Sequence, residues 1–230
     1  MLRKTMVLAL VIVFSNLIRL FAEGQVESYC KVKNAVITYE YYGIDKGTIK
    51  LMIKDYGHFV RREDNIIKTT DGEEKEYKFF YLLTPEFLYQ ADLHESNTAV
   101  KMGRPANLEG LRLLLHEISY GEDAESFQTD DRYQKEKDDY VAGQLCKVYY
   151  DKISDVTYWV WNDIILKTSA PDVEILDKEP WIRKKDPYGK IAITVDLDPK
   201  FEKNTFELPE GMEIIGVPYT LSPICFFLIA

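Results

Sequence analysis

The 230-residue chain has few of the residues that most often carry catalysis, with three histidines and three cysteines. By sequence pattern His58 falls on a strand, His94 beside a turn and His116 on a helix. None stands at metal-ligand spacing from another His or Cys. There is no G-x-S-x-G, and no cysteine sits in a catalytic setting, so nothing in the sequence marks a nucleophile. The 12 glycines are scattered turn residues and do not form a phosphate-cradling loop. Carboxylate pairs such as Asp130-Asp131 and Asp138-Asp139 read as solvated loops. Asp196 and Asp198 share one strand face, and a solvent-facing strand end is favoured there over a calcium site. The expectation is therefore a protein without enzymatic activity, metal or cofactor.

No apolar run reaches the roughly 20 residues that span a bilayer comfortably. The longest near the N-terminus, Met6 to Phe14, has the length of a signal-peptide core. Arg3 and Lys4 precede it, and Leu20-Phe21-Ala22 follows as a cleavage site. Residues 1–22 are thus expected to be a signal peptide, and 23–230 one domain in the bacterial periplasm. Glu27-Ser28-Tyr29 before Cys30 lacks the small residues of a lipoprotein site. The net charge is −9, and loss of residues 1–22, with three basic and no acidic residues, makes it more negative by three. Such a chain is repelled by phosphate backbones, which excludes nucleic acid as an expected partner. In an oxidising compartment one pair among Cys30, Cys146 and Cys225 could bridge, and the sequence does not choose the pair. A small buried hydrophobe on a strand is an equal reading for Cys146.

What the chain does have is apolar and aromatic residues, with 46% hydrophobic and 16 Tyr and 11 Phe. That is enough for a core, and the aromatics tilt the composition towards β. Alternation dominates the chain. Ala35, Ile37, Tyr39 and Tyr41 share one face, and Ile49, Leu51 and Ile53 share the next, across a turn at Gly43 to Gly47. Asp55-Tyr56-Gly57 is a second turn, leading into a strand from His58 to Glu63. Strands follow at Phe79 to Leu83, Phe87 to Leu93 and Thr98 to Met102. Later ones are expected at Leu145 to Tyr150, Thr157 to Trp161, Ile164 to Thr168 and Val173 to Leu176, and another bears Ile191, Ile193, Val195 and Leu197. Asn162-Asp163 is a two-residue hairpin signal. Leu108, Leu111, Leu115 and Ile118 stand at helix spacing, and a second short helix is expected from Thr129 to Asp138. The basic run Arg183-Lys184-Lys185 reads as a solvated loop before an anion site. The tail ends in Phe226-Phe227-Leu228-Ile229.

The strand Tyr158 to Trp161 is apolar on both sides, with Trp159 and Trp161 opposite Tyr158 and Val160. Either both faces of the sheet are covered there, or one face lines an apolar cavity. The stretch from Cys146 to Tyr149 and the hairpin from Thr157 to Lys167 resemble a signature of exported bacterial proteins of the LolA/LolB-like type. Phe206-Glu207-Leu208-Pro209-Glu210-Gly211 is similar to their closing corner, and Val36 to Tyr39 with its following turns fits their opening meander. The resemblance implies a mainly β fold with minor α, a curved, incompletely closed antiparallel β-barrel covered by short helices. It implies an apolar cavity holding a lipid or a lipoprotein acyl chain. The Leu108 to Ile118 helix would be its lid, and Tyr39, Tyr41, Tyr89, Leu111, Leu115, Trp159 and Trp161 would be its lining. No arginine here is matched to the one that members use near the cavity mouth. The alternatives are a ligand-free envelope protein that docks other envelope proteins and, less favoured, an envelope hydrolase.

Overall fold

The computed structural model describes residues 30–43, 45–70, 73–94, 96–103, 127, 130–175 and 182–216. The expected helix Leu108 to Ile118, the expected signal peptide at residues 1–22 and the apolar tail lie outside them. The described residues are mainly β. The first half supplies β1 (Ala35–Tyr42), β2 (Lys46–Lys54), β3 (Phe59–Thr70), β4 (Glu73–Leu83), β5 (Phe87–Asp92) and β6 (Thr98–Gly103). The second supplies β7 (Tyr133–Lys135), β8 (Asp139–Val141), β9 (Gln144–Asp151), β10 (Val156–Trp161), β11 (Ile164–Ile175), β12 (Ile182–Asp196) and β13 (Glu213–Gly216).

They form one open sheet in the order β13-β6-β5-β4-β3-β2-β1-β12-β11-β10-β9-β7, with β8 on β9. Two antiparallel meanders, β1 to β6 and β9 to β12, join where β1 pairs with β12. The turns obey local chemistry. Asp55, Tyr56, Asn162 and Asp163 adopt positive φ, as tight hairpin turns require. Ala142-Gly143 makes the same kind of turn between β8 and β9, with φ of 49° and 78°.

The alternation read from sequence fixes the inner face. Ala35, Ile37, Tyr39, Ile49, Leu51 and Ile53 are buried together with Val60, Leu83, Leu88, Cys146, Ile164 and Leu166. Two smaller clusters occupy the opposite face near the ends of the sheet. One holds Phe80, Leu82, Ala91 and Ala99 beneath Phe206, Leu208 and Met212. The other holds Tyr149, Tyr158, Val160 and Ile165 with Phe127 and Tyr133.

Three expectations are corrected. The sheet is not covered by short helices in the described residues, which are almost without helix. Residues expected in the second helix instead form β7, because pairing with β9 buries Tyr133 against Phe127 and Tyr149 and outweighs weak local helix propensity. In β12 the strict alternation fails at a register shift opposite Thr38/Tyr39. There Ala192 is buried while Ile193 is 44% exposed. An extra residue flips the side that follows it.

Candidate functional site

Trp159 and Trp161 are half-buried against the large cluster, while Tyr158 and Val160 belong to the small cluster behind them. Both sides of β10 thus carry apolar packing, with the two tryptophan rings left half-exposed on the inner side. Tyr39 and Tyr41 belong to the same large cluster, the former buried and the latter half-buried. The Tyr39 hydroxyl donates to the Ile165 carbonyl at 3.2 Å, and the Lys190 ammonium stands 5.4 Å from its ring centre. Four of the expected lining residues thus share one apolar face. Tyr89 packs with the Phe80 cluster, on the other side of the sheet. Leu111 and Leu115 lie outside the described residues.

The rim of this face is polar. Residues 136–138, between β7 and β8, and Asp139 at the start of β8 wall a cleft of about 420 Å³ together with residues of β9 and β10. Glu136, Asp138, Asp139, Val148, Tyr150 and Trp159 are among its lining. The Trp159 indole N–H donates to the Asp139 carboxylate at 3.3 Å, and the Lys167 ammonium lies 4.2 Å from its ring centre. The backbone N–H of Tyr140 and then the indole of Trp159 hold the Asp139 carboxyl below its ordinary range.

Sequence reasoning marks Arg61-Arg62 as a basic cluster but not the burial of Arg62 or its pairing with Asp64. Arg62 and Asp64 lie two residues apart on the inner face of β3 and form a two-pronged pair at 2.7 and 2.6 Å. Both are buried, as is Lys190. The spacing Val60, Arg62, Asp64, Ile66 was the available signal, since these residues share one side of a strand whose other members point outward. Cys30 and Cys146 are both free and buried thiols of the large cluster. Burial pushes the Cys146 thiol up to about 11. Among the described residues no three His, Cys, Asp or Glu side chains gather as a metal site. Asp198 instead donates its backbone N–H to the Asp196 carboxylate, closing a turn.

No family model matches the chain, and no curated protein matches it. Among solved structures it is similar to an uncharacterized conserved protein from Thermus thermophilus. The two are 7% identical, the alignment covers 81% of this chain and 92% of that one, and the TM-score is 0.45. It is also similar to MucB, at 11% identity over 80% of this chain and 60% of that one, with a TM-score of 0.38.

Proposed function

We propose that the chain is a non-catalytic binding or carrier protein of the bacterial envelope that holds a lipid or lipoprotein acyl chain. The observation that carries this reading is the largely apolar face running from β5 to β9, broken by the buried Arg62–Asp64 pair and flanked by the half-buried rings of Tyr41, Tyr81, Trp159 and Trp161. An apolar wall edged by amphipathic rings suits a ligand with a long apolar body and a polar end. The resemblance to LolA/LolB-like proteins points to the same ligand class and to the periplasm. A fluorescent acyl probe tests the reading. Saturable binding to the folded protein is expected, weakened by Trp161→Ala; probe fluorescence that stays unchanged on titration contradicts it.

A second reading, a docking protein of the envelope, draws on β13. Among the described residues β13 is an edge strand that presents Ile214 and Ile215 at 50% and 51% exposure, and an unpaired apolar edge is a template for strand addition. Ile215→Lys is then expected to abolish cross-linking to an envelope partner in whole cells. An unchanged cross-linking pattern removes this reading.

A further inference from the structure

We propose that β8 is a gate at the Trp159 corner of the apolar face, latched by the hydrogen bond between Asp139 and Trp159. The inference rests on the ligand reading above for what the gate admits, but the gate itself is argued from geometry. β8 is three residues long and pairs only with β9, through Asp139↔Cys146, Tyr140↔Leu145 and Val141↔Gln144. Residues 136–138 interrupt the pairing with β9 between β7 and β8, and among the described residues the Glu136 N–H alone reaches back, to the Val148 carbonyl. One flank is thus a loosely held connection and the other is the Ala142-Gly143 turn. Segments with so few backbone bonds are the ones that open locally while the rest of a sheet stays formed.

The inner side of β8 is nevertheless part of the core. Val141 is 3% exposed and packs in the large cluster with Cys146, while Ala142 leans on it. β8 also lies against β12, beyond β10 and β11 in the sheet order. Neighbouring strands stand about 4.8 Å apart, so this approach requires the sheet to curl, with β8 laid across the inner face. Its outer side holds Tyr140, paired with Leu145 of β9; the two are exposed at 67% and 53% and carry no cover of their own among the described residues. The cleft of about 420 Å³ runs beneath the connection to β8 and is walled by Trp159. Swinging β8 outward breaks the Asp139 latch, lifts Val141 out of the cluster and joins that cleft to the apolar face. A short latched element of this kind controls access without altering the rest of the site.

Cys146 lies opposite Asp139 and serves as a native reporter, with Cys30 as the buried control, in a Cys225→Ser background. Gate opening is expected to label Cys146 at least about tenfold faster than Cys30 in the folded protein. Asp139→Ala is expected to speed Cys146 alone. Equal labelling of the two thiols would mean that only global unfolding exposes them, and the gate would be overturned. Asp139→Cys then gives a lock on Cys146. Facing residues of antiparallel strands have Cα atoms about 4.5–5.5 Å apart, which a disulfide of about 4.4–6.8 Å can bridge. The oxidised form is expected to take up the acyl probe at least about tenfold more slowly than the reduced form of the same variant, with little change in the amount bound at equilibrium. Identical uptake rates would overturn the access role. Absence of probe binding by every form would remove the ligand reading and the access role together, while selective Cys146 labelling would still mark β8 as the moving element.

Discussion

Asp151 is fully buried at the end of β9. It accepts hydrogen bonds from the Arg132 guanidinium at 2.7 and 2.5 Å, from the backbone N–H of Ile153 and Ser154, and from the Ser154 hydroxyl. Burial alone raises its carboxyl, but these donors outweigh burial and hold it well below the usual carboxylate range. The group ties β7 to the turn between β9 and β10. Asp151→Asn is expected to lower the unfolding free energy by about 3 kcal/mol, since one partner of a buried pair is lost, measured by the denaturant midpoint. The sign of the pH effect follows from linkage. A carboxyl depressed in the folded state contributes stability above its unfolded value of about 4, and that contribution is lost as pH falls through the folded value. Wild type should therefore lose stability as pH drops below about 4, and the variant should lose less over that window. Parallel curves would show that Asp151 is not the group responsible. Nothing in the sequence marks Asp151, because its partners converge from Arg132 and Ser154 only after β9 has paired.

Elements were far more legible than such contacts. The strands β1, β2, β5, β6, β9 and β10 stand close to where alternation and turn residues place them, and the Asn162-Asp163 hairpin forms as expected. Where the sequence misled, pairing decided the outcome. Acids near Thr129 suggested a helix start, yet the Asp130 carboxylate takes the Arg132 N–H in a turn that launches β7. β13 carried no clear alternation, and its parallel pairing with β6 depends on residues more than a hundred positions away. β11 and β12 extend far past β10 and β1 as one long hairpin, which the sequence broke into separate strands. Gly189 sits where that hairpin leaves β1, opposite Tyr42 and Ser169. A methyl group there would meet the Thr168 carbonyl oxygen at 2.1 Å. Gly189→Ala is accordingly expected to lower stability by about 1–3 kcal/mol through a forced backbone shift. A thermal midpoint unchanged from wild type would refute that close approach.

At the scale of the whole molecule, the single sheet formed by the 13 strands of the described residues has two faces to cover. The Phe206 to Met212 corner covers one patch of the outer face and Phe127 another. The inner face is the largest apolar surface that the strands build, and it carries Tyr39, Tyr41, Trp159 and Trp161 together. The sequence made that gathering readable, because each of these rings lies on the apolar side of an alternating strand. It did not reveal that Tyr89 faces the other way, since which side of β5 turns inward is set by pairing through β4 and β3. In the proposed carrier role, this inner face holds a lipid or an acyl chain. Native mass spectrometry of the protein purified without detergent tests that claim most directly. The account predicts a folded species carrying a lipid-sized mass that organic extraction removes. A bare polypeptide mass, from protein that also takes up no added lipid, would contradict it.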